Sequence, residues 1–315
     1  MAISGAGSAT APQSARWIGP ACALLGVFGF SFKGILIKLA YQADPVDPST
    51  LLALRMLYSA PFFCVMAWWA ARRSATPIKR DDALRLVWFG FIGYYLSSLL
   101  DFSALQYITA SLERLVLYLY PTFVVLLSAL LLRKPVTRRA VAALLLSYAG
   151  IALAFSYDLR LTGDPAATLK GGLLCLASAV IYALYLVQAG SVIDRLGSMR
   201  FVAWAMLASL VFVLLQFALT HPLRALDVSA RVHWISITMA LVSTVLPTWL
   251  IAESVRRMGA DGASLVGALG PMFTIGLGAV ILGEPIAVLQ IAGAMLVLSG
   301  VLLVTLKRPA SLPDT

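Results

Sequence analysis

Asparagine is absent from all 315 residues, so the chain offers no acceptor for N-linked glycosylation. Only two histidines occur, His221 and His233, flanking one loop, and no HExxH run places a pair on one helix face. The three cysteines, Cys22, Cys64 and Cys175, lie in apolar runs without CxxC spacing, and they read as inert buried thiols. There is no Walker loop. An enzyme therefore has little to stand on, and neither metal nor cofactor is expected. Charge is scarce too: 12% of residues are Asp, Glu, Lys or Arg, against about a quarter in soluble domains. The net charge of +10 calls for no nucleic-acid partner, because Lys and Arg gather in the cytoplasmic loops of membrane proteins.

What is abundant is apolar surface. Hydrophobic residues make up 61% of the chain and the mean hydropathy is +0.91. Ten apolar segments, about 17–40, 50–71, 86–106, 110–132, 138–156, 170–190, 201–219, 233–255, 261–282 and 286–306, approach the ~20 residues a helix needs to cross ~30 Å of hydrocarbon. Helices are required, because lipid satisfies no open backbone group and the runs are too long for barrel strands. Residues 1–16 form a small, polar stretch and read as a disordered cytoplasmic tail. A cleaved signal peptide is not expected, since the first apolar run is too long and shows no cleavage site.

Basic residues divide unequally between the two sides. Of the 24, sixteen fall in the N-terminal tail, the even-numbered loops and the C-terminal tail 307–315. Four lie in the odd loops (Arg160, Lys170, Arg224 and Arg231) and four inside spans. This asymmetry predicts cytoplasmic termini, and a bacterial inner membrane is the natural home.

The chain also repeats. Shifted by 150 residues, Leu119, Pro121 and Phe123 fall on Leu269, Pro271 and Phe273; Pro135, Gly150 and Leu153 fall on Pro285, Gly300 and Leu303. A gapless offset over such a stretch marks duplication. The copies cover 17–156 and 170–306, with 157–169 as an outer linker. Each holds five spans, and an odd number inserts the second copy upside down, the plan of carriers that alternate access to a midplane site. The fold class expected is all-α integral membrane, with ten transmembrane helices in two inverted five-helix repeats around a central cavity.

Gly283-Glu284-Pro285, followed by Leu289-Gln290, Gly293 and Gly300, resembles the end of an EamA repeat of the drug/metabolite transporter (DMT) superfamily. Phe28-Gly29 with Lys38, Tyr182-Ala183-Leu184-Tyr185 and Arg55 are similar to other parts of that pattern. One departure is Lys134-Pro135, where the family commonly has Glu-Pro. The resemblance implies that helices 1–4 and 6–9 enclose the cavity, with 5 and 10 aside, and it implies secondary transport of small metabolites such as amino acids, often outward.

Charged residues inside spans are costly and mark function by default. Lys33, Lys38, Arg55, Asp101, Glu113 and Arg114 all belong to the outer half of the first copy. Two readings stand side by side. In one, acids and bases pair as a gate or latch while Lys38 and Arg55 snorkel outward. In the other, Lys33 or Arg114 meets a substrate carboxylate and an acid, Asp101 first, couples a proton. Glu253, followed by Arg256, Arg257 and Asp261, offers an inner counterpart. Tyr94, Tyr182, Tyr185 and Trp249 are candidate cavity aromatics, and Tyr118 shares a helix face with Arg114. Pro121 and Pro271 form a candidate hinge pair. The expected partners are a small-molecule substrate and the lipid bilayer, with a proton as candidate coupling ion. The expected function is a secondary transporter, an exporter by alternating access; a facilitative, channel-like carrier without ion coupling is the alternative.

Overall fold

The computed structural model describes residues 13–73, 77–133 and 137–305. Lys134 and Pro135, the two tails and the side chain of Asp261 lie outside the residues whose placement is described. Regular structure among the described residues is helical throughout. Ten apolar helices follow one another: α1 Trp17–Ala43, α2 Pro48–Arg72, α3 Arg80–Ala104, α4 Ala110–Leu131, α5 Arg138–Thr162, α6 Pro165–Leu196, α7 Ser198–Thr220, α8 Ala230–Gly259, α9 Gly270–Leu282 and α10 Val288–Leu303. The chain is an all-α membrane protein.

Several helices outrun their apolar segments, and caps explain where they stop. Helix α6 starts at Pro165, with the Asp164 carboxylate accepting from Ala167 N at 3.0 Å. It ends at Gly197, whose φ of +81° suits glycine. Helix α3 starts at Arg80, where Lys79 N donates to Asp82 Oδ2 at 2.8 Å. These added turns bring Asp82 and Arg195 together as an ion pair that joins α3 to α6.

Side-chain contacts fix the helix directions. Tyr41, near the end of α1, donates to the carbonyl of Phe102, near the end of α3, at 2.8 Å. Gly171, near the start of α6, packs on Tyr107 and Ile108 just past α3. So α6 begins where α1 finishes, and the two copies run in opposite senses. We call that end distal and the end near the N-terminus proximal.

The copies also interleave. Helix α1 lies along α8 and against α9, while its counterpart α6 lies along α3 and against α4. Helix α2 adds to the first set through α8, and α7 adds to the second through α3. Two groups result, α1, α2, α8, α9 and α3, α4, α6, α7, each drawn from both copies, and they meet along an extensive α2–α7 contact. Helices α5 and α10 pack on each other to one side. There, a Cβ on Gly150 would come within 2.5 Å of the Gly293 carbonyl oxygen, so only glycine permits the approach.

The register of 150 residues survives in the backbone irregularities. Helix α3 widens into a π-helical turn at Gly90–Leu96, and α8 does so at Leu241–Val245. In each, one N–H reaches back five residues, Ser97 to Ile92 and Leu246 to Leu241. Helix α4 breaks after Leu117, and the short helical stretch after the Gly259 kink that leads into α9 breaks at the equivalent place, after Gly267; each resumes with Pro121 or Pro271 in its first turn. A proline there needs no N–H partner, so the break costs little.

Candidate functional site

Three of the in-span charges meet at one point. Helix α1 carries Lys33, whose Nζ lies 2.6 Å from Asp101 Oδ2 on α3 and 3.2 Å from Glu113 Oε1 on α4. The two acid side chains are 3% and 1% exposed. One cation offsets only one of two carboxylates, so the buried trio is neutral when one of the two carboxyls holds a proton. Gly34 makes room, since its Cα faces Glu113 Oε2. Lys33 belongs to one helix set and both acids to the other, so this knot ties the sets together.

Neighbouring contacts do the same. Glu284, in the turn after α9, accepts from Ala110 N at 2.9 Å and from Ser111 Oγ at 2.7 Å, holding the first turn of α4. Tyr118 of α4 donates to the carbonyl of Gly267 at the α9 break. Gln216 Nε2 of α7 donates to Ser49 Oγ of α2 at 3.0 Å, and Tyr41 holds Phe102 as above. Each of these joins one set to the other, the Tyr118 contact at mid-membrane and the rest toward the distal end. Asp158 of α5 braces the same turn of α4, accepting from Thr109 N at 3.0 Å and Thr109 Oγ1 at 2.8 Å.

Arg55 stands apart from the knot. It is 7% exposed, its Nε donates to Thr244 Oγ1 at 3.2 Å, and its Cζ sits 5.4 Å from the Phe102 ring centroid. Snorkelling does not describe it. The π turn of α8 presents Thr244 there, and the equivalent π turn of α3 presents Tyr94, exactly 150 residues earlier, to another set of partners. Lys38 is half-buried and within electrostatic reach of Glu284 and Asp158.

Below the knot runs a chain of tyrosines. The Tyr94 and Tyr185 hydroxyls are 3.0 Å apart and their rings 5.4 Å. Tyr182 lies 5.5 Å from Tyr185, Tyr120 lies 5.4 Å from Tyr182, and Tyr118 lies 6.4 Å from Tyr120, all between ring centroids. Arg114 closes the row, with Cζ 5.2 Å from the Tyr118 centroid. Gly93 lets Tyr185 approach, because a Cβ there would lie 2.6 Å from its ring. Tyr120 was not singled out from the sequence, although its place two residues past Tyr118, across the Pro121 break, is what turns it toward α6.

Two candidates lie elsewhere. Trp249 is 48% exposed and lines a small proximal pocket of about 30 Å³ with Met66, Met199 and Thr248. Glu253 accepts from Arg256 at 2.8 and 2.6 Å and from Arg257 at 2.6 Å, all on its own helix. Among the described residues it therefore ties no helix to another.

Comparison with known proteins agrees with this architecture. The EamA-like transporter family matches residues 17–156 and again 169–306. The chain belongs to that family, within the DMT superfamily, and its kinship points to a membrane transporter rather than an enzyme. It is 30% identical over 280 residues to the uncharacterized transporter YcbK of Bacillus subtilis (strain 168), covering 86% of this chain and 87% of that one. It is 23% identical to the uncharacterized transporter YyaM of the same organism, over 88% and 91% of the two chains. A solved structure described as a crystal structure of protein shares the fold, with a TM-score of 0.60 at 22% identity over 93% of this chain and 96% of that one.

Proposed function

We propose that the protein is a secondary transporter of the bacterial inner membrane, with both termini cytoplasmic, that exports small metabolites such as amino acids or related amphipathic solutes by alternating access. The observation that carries this reading is the grouping of inter-set contacts at the distal end. Lys33 with Asp101 and Glu113, Glu284 on helix α4, Tyr41 on Phe102 and Gln216 on Ser49 all join the two sets there. With the distal end outward, the conformation is closed to the outside, and the tyrosine row lies on the cytoplasmic side of the closure. Opening the outer mouth separates Lys33 from its acids, so their protonation is the natural point at which a proton couples to the motion.

A second reading has its own support. Asp101 already holds Lys33 at 2.6 Å, which suits a fixed gate as well as a proton carrier. In that case the protein is a facilitator without ion coupling. Proteoliposome uptake of a mixed pool of labelled amino acids and related metabolites, with and without a pH gradient, separates the two. Gradient-dependent accumulation that fails in Asp101→Asn supports coupling at that acid. Gradient-independent equilibration, equal in both proteins, makes the carrier facilitative. A pool that never moves under either condition sinks the transport of this class of solute.

A further inference from the structure

Arg114 is a cation with no acid in contact. It forms no ion pair among the described residues, and its Nε is buried with no hydrogen-bond partner. Its charge reaches Glu113, but that carboxyl and Asp101 are the ones that hold Lys33. A guanidinium inside a bilayer without a contacting carboxylate is open to one.

What faces it is chemically uniform. The guanidinium lies against Tyr118, and its charge reaches Tyr120 and Tyr182. Arginine and phenol groups offer N–H and O–H donors around one spot. The same tyrosines follow one another edge to face in an unbroken row, and Tyr118, Tyr120 and Tyr182 remain half-buried at the middle of their spans. Space adjoins them: a Cβ built on Gly267, whose carbonyl accepts the Tyr118 hydroxyl, meets nothing within 4 Å.

We infer that Arg114 and the tyrosine row form a binding site for an aromatic monocarboxylate. The carboxylate takes the guanidinium, where a paired, bidentate contact is available to it. The ring packs along Tyr118, Tyr120 and Tyr182. An amino-acid zwitterion fits less well, because no carboxylate among the described residues beside Arg114 is free to receive its ammonium group; an aromatic amine fits worst, since it sets cation against cation. This inference rests on the transporter reading and narrows its substrate to one charge class.

The test uses three probes that share a phenyl ring and differ in charge: phenylacetate, phenylalanine and phenethylamine. Each is titrated against the purified full chain in lipid nanodiscs, and the shift in unfolding midpoint is read by tryptophan fluorescence. Phenylacetate should bind at least about tenfold more tightly than either other probe, as expected when a charged partner is left unmatched. Arg114→Gln should abolish its shift and Arg114→Lys should keep part of it. If Arg114→Gln does not survive purification, Tyr120→Leu and Tyr182→Leu, which leave every charge in place, should each weaken phenylacetate. Equal or tighter binding of phenylalanine or phenethylamine overturns the site, as does no binding of any probe, or a phenylacetate shift unchanged in all these variants. The metabolite-pool assay keeps the two readings apart. A moving pool with no phenylacetate binding sinks the site and leaves the transporter; Arg114-dependent binding without transport of the pool or of phenylacetate does the reverse.

Discussion

Replacing Lys33 by methionine keeps most of the side-chain volume and removes one charge from a site where two acids are almost fully buried. At an effective dielectric of about 20, the attraction to Asp101 at 2.6 Å is roughly 6 kcal/mol. Desolvation of each ion, several kcal/mol, offsets most of it, so the intact pair is near neutral relative to an apolar one. Removing one partner is different. It should cost about 3–5 kcal/mol, because the other stays buried and unpaired. The experiment is a double-mutant cycle of Lys33→Met and Asp101→Leu in a Glu113→Gln background, where one acid–base pair remains. Stability is read from reversible unfolding in mixed micelles, followed by the fluorescence of the seven tryptophans. Each single change should be strongly destabilising and the double much less so than their sum, with a coupling of about 2–3 kcal/mol. Additive losses, with a coupling below about 0.5 kcal/mol, would mean that the ammonium and carboxylate are not partners, and the closure described above would lose its centre.

Two further changes probe the neighbouring contacts. Glu284→Ala deprives Ala110 N and Ser111 Oγ of their acceptor; hydrogen exchange in the first turn of α4 should quicken and stability fall by about 1–3 kcal/mol, with Glu284→Gln restoring part of it. Glu253→Gln, which removes only contacts within α8, should leave transport unchanged, and a loss of transport would give Glu253 the gating role that its local pairing argues against.

Much of this molecule could be read along the chain. A gapless offset of 150 residues located not only the copies but, unseen, the places where helices widen and break: Gly90–Leu96 against Leu241–Val245, and the turns before Pro121 and Pro271. Spans and in-span charges were equally plain, because hydropathy is a property of composition. Pairing is not. That Lys33 meets both Asp101 and Glu113, while Arg114 one residue on meets neither, depends on how three helices are rotated against one another. The same holds for Asp158 and Glu284. One stands in the stretch expected as the outer linker and the other in the repeat-end motif, yet they hold the start of α4 because backbone N–H groups there need acceptors. Glu253 showed the opposite error of scale: its spacing to Arg256 and Arg257, at i,i+3 and i,i+4, was itself the sign that it would be satisfied locally.

The interleaving of the copies has a thermodynamic consequence. Two inverted halves of identical sequence would give outward-closed and inward-closed forms of equal energy. Here the positions 150 residues after Asp101 and Glu113 are Ile251 and Ala263, which can build no such knot at the proximal mouth. A cycle that exchanges the two mouths therefore joins states of unequal depth, and every 1.4 kcal/mol or so of difference weights the empty carrier about tenfold toward the distal-closed form. Whatever reverses that bias must bind the other form more tightly by the same amount. The direction of net movement is thus set partly by three side chains on one copy, before any solute arrives.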